Sequence, residues 1–271
     1  MQLSYRDMEK TLMEELRLYH HPIAVTFLMS EGEVEQFTRS ANYVTPVKPL
    51  TFCQWETAAR MQGKTVLGTI DKLACNNAKV SFGWRDVDPD EIKTQMKYTV
   101  DRAQAERFVA SKPHLPRNAL AAVAVGPLGE CVQEPSVVHF YCDSIQAYHL
   151  AIDYMASTDT HPLKTQLMMS SAACGGSVWS WQEQAFNFST PCSGSYNAGK
   201  TERGESYVFI PGSQIEGVVN RLLTRIKTLG SSSITHPGDY FPGGDICKNC
   251  PLIVFKKGNE SCENCSQKDS Q

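Results

Sequence analysis

Two rhythms of apolar residues run through this chain. Met8, Leu12, Leu16 and Tyr19 recur at helical spacing and predict an amphipathic helix at the start. Ser4, with Asp7 three residues on, gives that helix a capping-box-like entry. His20 and His21 are expected to close it, where imidazolium suits a helix C-terminus. The runs PIAVTFL (22–28), TVLGTI (65–70), NALAAVAVGPL (118–128), SVVHFYC (136–142), TQLMMSSAAC (165–174) and YVFIPG (207–212) read as strands. LTFCQWETAARMQG (50–63) reads as a helix stopped by Gly63. LACNNAKVSFG reads as a turn with a short helix, and further helices are expected over 144–156 and 213–230. This alternation predicts an α/β or α+β fold, a mixed sheet with flanking helices over residues 1–230.

The chemistry gathers at the end of the chain. Cys247/Cys250 and Cys262/Cys265 are two C-x-x-C pairs within nineteen residues. Such turns converge thiolates on one metal, and four sulfurs suit tetrahedral zinc, a single iron or an iron–sulfur cluster. Two disulfides or free thiols are the plainer alternative. Leu252–Phe255 followed by Lys-Gly-Asn suggests a hairpin that folds the second pair onto the first. The stretch 231–245 is rich in Ser, Gly and Pro and reads as a linker, so the chain divides into a body (1–230) and a metal-binding tail (231–271).

Composition narrows the setting. Among 271 residues, 41% are hydrophobic and 20% charged, with a net charge of -3. That balance gives no electrostatic reason to expect nucleic acid or an acidic membrane as partner. No apolar run approaches a membrane span, and the N-terminus lacks a signal-peptide core. A cytoplasmic protein is expected, and its ten cysteines then read as metal ligands or catalytic groups rather than as disulfides. A homo-oligomer and a redox partner both remain open.

The segment PCSGSYNAGKTERGESYVFIPG (191–212) has the look of a functional loop. Glycines there permit close approach of the backbone to a ligand, and Lys200 and Arg203 could hold an anionic substrate. Cys192, beside those cations, is a candidate metal ligand or reactive thiol. The plainer reading is a solvated hairpin loop. Gly194–Thr201 fits the letters of a phosphate-binding loop, but a strand follows instead of the required helix, so no nucleotide site is assigned. His139 and His149 are candidate bases for Cys192, though a core or surface role is the commoner one for His149. Asp86, Asp88, Asp90 and Glu91 read as a solvated helix start rather than a calcium loop. Trp179, Trp181, Phe186 and Phe188 read as core, or as a pocket wall beside Cys174. Cys53/Cys75 and Cys142/Cys174 form a weak internal echo that would fit a duplicated half.

The stretches FCQWETAARMQGKTVLGTIDKLACNNAKVSFG, AACGGSVWSW and PCSGSYNAGKTERGESYVFIPGSQIEGVVNRL resemble the uncharacterised ArCR family, a domain of unknown function (DUF169). The resemblance covers roughly residues 5–230. It rests on Cys53, Cys75, Cys174, Cys192 and an Ile-Pro-Gly followed by an amphipathic helix. It implies a shared fold and an anaerobic context, and it implies no particular reaction.

Two expectations follow. The first is an iron–sulfur protein of anaerobic metabolism, an enzyme of lyase or redox type. Its cluster, most simply a [4Fe–4S] cluster, would be held by Cys53, Cys75, Cys174 and Cys192, three of which have small neighbours (Ala74, Ala173, Gly175 and Ser193) that leave room for it. The second is a non-catalytic small-molecule or metal-binding protein with a structural zinc tail and merely buried body cysteines.

Overall fold

The computed structural model describes residues 3–229. They belong to the first of two compact units, Met1–Ser233. The second unit, and with it the expected linker and tail cysteines, lies outside the described residues.

In chain order the elements are α1 (Tyr5–Glu15), β1 (Ile23–Leu28), α2 (Glu31–Ser40), α3 (Phe52–Gln62), β2 (Val66–Gly68), α4 (Asn76–Ser81), α5 (Pro89–Gln95), α6 (Arg102–Ala110), β3 (Ala122–Pro127), β4 (Val137–Cys142), α7 (Ser144–Thr158), α8 (Ala172–Glu183), β5 (Asn187–Ser189), α9 (Ser193–Ala198), β6 (Ser206–Pro211) and α10 (Ile215–Leu229). The strands form one sheet in the order β2-β3-β1-β4-β6-β5.

Helices and a sheet are present as expected, but the sheet is not mixed. Among the described residues, all strand pairings are antiparallel, and parallel pairing is confined to the isolated bridges Val44–Val66 and Leu50–Leu73. β1, β3 and β4 are buried at every position, which erases the in–out alternation that marks an antiparallel strand in sequence.

The pleat divides the buried side chains between two faces. On one, Ile23, Val25, Phe27, Val123, Val125, Tyr141, Tyr207 and Phe209 share a core with Phe52 and Trp55 of α3 and Ala172, Cys174 and Val178 of α8. On the other, Leu28, Ala122 and Ala124 pack with Phe37 of α2. α7 packs on β4, β6 and α10. Gly176 lets α8 lie against β6, because a Cβ there would stand 2.5 Å from the Phe209 ring.

Three local expectations are corrected. Residues 165–174 form no strand; they end in the first turn of α8. Ala172 through Val178 are all buried, and so short an apolar run has no period that separates strand from helix. The first helix ends at Glu15, so His20 and His21 do not close it. They pair instead with carboxylates, His20 with Glu205 at 3.4 Å and His21 with Glu9 at 2.9 Å. Part of the expected loop after Pro191 is the short helix α9.

Candidate functional site: a pocket walled by four cysteines

α3 begins where a capping box fixes it. The Thr51 hydroxyl accepts from Gln54 N–H, and the Gln54 side chain accepts from Thr51 N–H. That start places Cys53 in the first turn, facing α9. Gly63, at φ 65°, ends the helix in the left-handed conformation that favours glycine. Cys75 is the N-cap of α4, Cys174 lies in the first turn of α8, and Cys192 is the N-cap of α9.

These four cysteines line a single cavity of about 150 Å3. Its other walls are mostly small or polar, including Asn77, Ser170, Ser171, Ala172, Ala173 and Gly194. Among the described residues, no His, Asp, Glu, Lys or Arg lines it. The six described cysteines are all free thiols. Cys131 and Cys142, also buried or half-buried, lie apart from this cavity.

α9 is fastened to α3 by contacts that the sequence did not point to. The Thr57 hydroxyl and the Arg60 guanidinium donate to the carbonyl of Gly199 at 2.8 and 3.2 Å. Arg60 also donates to the Lys200 carbonyl at 2.6 Å, pairs with Glu205 at 3.1 Å and lies 4.1 Å from the Tyr141 ring centre. The result is that one hydroxyl, Ser195 Oγ, stands 3.7 Å from Cys53 Sγ and 3.4 Å from Cys192 Sγ.

Beneath Cys53 runs a buried polar chain. Glu56 Oε2 accepts the Tyr141 phenol at 2.7 Å, and Glu56 Oε1 lies 2.6 Å from His139 Nδ1. Burial pushes the Cys53 thiol well above its ordinary pKa, and the Glu56 carboxylate adds to the shift. Burial raises Cys75 too, opposed by the N–H groups of Ala78 and Asn77. Cys174 is raised by burial and then by Cys75 and Cys192.

Lys200 and Arg203 are exposed, and neither lines the cavity. Lys200 instead borders a separate cavity of about 350 Å3, lined by Gln54, Thr57 and Ala58 of α3. His139 is held in its pair with Glu56, and His149 is buried on α7; neither lines the cysteine cavity. Trp181 packs edge-on to Phe27, while Trp179 and Phe186 border another cavity beside Tyr154. Asp88 caps α5, and Asp86 and Asp90 are exposed as expected, but Glu91 is buried in a pair with Lys112 and is no part of a solvated helix start.

Residues 11–221 match the model of the family described as Uncharacterised ArCR, DUF169. The chain belongs to that family. No curated protein and no solved structure matches it. All four cavity cysteines of this ArCR protein fall inside the matched span, whereas Cys247, Cys250, Cys262 and Cys265 lie beyond it. Among the described residues, no group of three or more His, Cys, Asp or Glu side chains is arranged to hold a metal ion, and no helix is long and apolar enough to cross a membrane.

Proposed function

We propose that this ArCR protein is a cytoplasmic iron–sulfur protein whose cluster is held by Cys53, Cys75, Cys174 and Cys192. The observation that carries the reading is convergence: cysteines from four helices, spread between positions 53 and 192, wall one small cavity. The donor set fits the group. Thiols are the soft ligands that iron–sulfur clusters take, and among the described residues no carboxylate or imidazole shares the wall. A lone zinc, about 2.3 Å from each sulfur, needs its ligands drawn around a point. Thiols spread over the walls of a cavity suit a group with several irons better.

Bound there, a cluster would supply electron transfer with four thiolates, or Lewis-acid chemistry with three and one open iron. The chain's own residues do the positioning. Ser195 spans Cys53 and Cys192, Thr57 and Arg60 pin α9 to α3, and the α4 N–H groups face Cys75. The tail pairs would form a separate four-cysteine site, with zinc as the alternative to a second cluster; this rests on their spacing alone.

The second reading is a non-catalytic binding protein with a structural zinc tail. The packing of Cys174 within the main core favours it. Anaerobic reconstitution separates the two. Iron and sulfide per chain and a visible spectrum would be measured for the wild type and for Cys53→Ser, Cys75→Ser, Cys174→Ser and Cys192→Ser. Cluster absorbance that the body variants lose supports the first reading. A colourless protein carrying one zinc, with all four variants folded and unchanged, establishes the second.

A further inference from the structure

The cavity has a wall that the thiols do not use. Ser170 and Ser171 line it, with only 7% and 4% of their surface exposed. Neither hydroxyl has a hydrogen-bond partner among the described residues. A buried hydroxyl without a partner costs stability, so two adjacent ones on one cavity wall need an explanation. Neither is spent on capping: Ser171 is the N-cap of α8 but makes no side-chain cap bond.

The same wall carries other donors. α8 is twelve residues long, and the N–H groups of Ala172 and Ala173 in its first turn have no intrahelical acceptor. The positive end of the helix dipole lies there as well. Across the cavity, Asn77 Oδ1 accepts from Lys112 Nζ at 3.3 Å, which leaves the amide NH2 as the group Asn77 can offer. Lys112 is itself fixed by a buried pair with Glu91 at 2.6 Å. Hydroxyls, amide and helix N–H groups form a set of donors with no carboxylate among them.

From this juxtaposition we infer that Ser170, Ser171, Asn77 and the α8 N-terminus form a binding subsite for a small carboxylate or inorganic oxyanion, beside the cysteines. The subsite gives the proposed iron–sulfur protein its substrate class, and it rests on that reading for its catalytic meaning. It also moves anion recognition from Lys200 and Arg203 to neutral donors inside the cavity. Such donors bind an anion strongly only where water is excluded, and burial supplies that condition.

The test uses the full chain, reconstituted anaerobically, with acetate and inorganic phosphate as probes. Binding is read by calorimetry, and iron per chain is measured in the same samples. The variants are Ser170→Ala and Ser171→Gly. The second suits the left-handed backbone at Ser171, φ 62°, so it removes the hydroxyl without a folding penalty. The expected result is that the wild type binds at least one probe, and that each variant keeps its iron and its melting temperature but binds about tenfold or more weakly. If neither probe binds the wild type, or the variants bind as tightly as it does, the subsite is overturned. If the variants lose iron instead, the hydroxyls serve the cluster and the subsite is again overturned. A protein that takes up no iron but binds acetate through these serines refutes the cluster and leaves the subsite standing.

Discussion

Glu56 and His139 meet at 2.6 Å, carboxylate Oε1 to imidazole Nδ1, and neither side chain is exposed at all. They come from α3 and β4, so the pair ties the helix bearing Cys53 to the centre of the sheet. Removing one partner leaves the other buried and unsatisfied. Glu56→Ala is expected to cost about 3–5 kcal/mol, read from urea denaturation. A loss of about 0–1 kcal/mol, the range of exposed pairs, would show that this contact does not anchor α3.

A Cβ at Gly199 would stand 2.7 Å from Cβ of Cys53 and 2.9 Å from the Ser195 carbonyl. Gly199→Ala should therefore push α9 away from α3 and part Cys192 from Cys53. Overpacking of this kind costs about 1–3 kcal/mol. The sharper sign is iron content after reconstitution, which is expected to fall by more than the stability loss explains. Full iron content in Gly199→Ala would mean that Cys192 is dispensable as a ligand.

Lys200→Met and Arg203→Ala should leave both iron content and acetate affinity unchanged within error. Both side chains are exposed and neither lines the cysteine cavity. A several-fold loss of anion binding in Arg203→Ala would restore the loop as the recognition element.

His149 carries a pH signature. Burial, and then the charge of Arg225, lowers its pKa to about 4. In the unfolded chain a histidine titrates near ~6.5. Between those values the unfolded state binds the extra proton, so stability is complete above the window and is lost as pH falls through it. Thermal melts from pH 7 to pH 4 should show this loss, and His149→Gln should flatten the slope. An unchanged slope in the variant would assign the acid sensitivity to other groups.

In the tail, Cys262→Ser should lower the metal content by about one site while leaving the body's iron in place. Unchanged stoichiometry would remove the four-cysteine assignment that the spacing suggests.

The sequence made Cys53, Cys75, Cys174 and Cys192 visible as candidates, because family-like motifs surround each of them. It also gave the main strands and the helices with clear period and punctuation, such as α3 with Thr51 and Gly63. It could not show what fastens the cysteines together. Arg60 reads as an ordinary helical arginine, and its acceptors, Gly199 and Lys200, lie 139 and 140 residues downstream. Glu56 is equally mute without His139, 83 residues away. α9 was hidden by the Ser and Gly that suit a loop, and α8 by a run of small apolar residues that has no period. Ser170 and Ser171 carry no signal in the sequence, since a pair of serines is ordinary until burial without a partner sets it apart.

The antiparallel order of the sheet sets a timetable for the pocket. β1, near the start of the chain, lies between β3 and β4 and must wait for residues about a hundred positions later. Cys53 and Cys75 emerge from the ribosome long before Cys174 and Cys192, so no nascent chain can present all four thiols until residue 192 has been made. Pairing over such distances is slow. Any cofactor that needs the full set therefore enters a body that is almost completely synthesised, and the two early thiols spend that interval uncommitted.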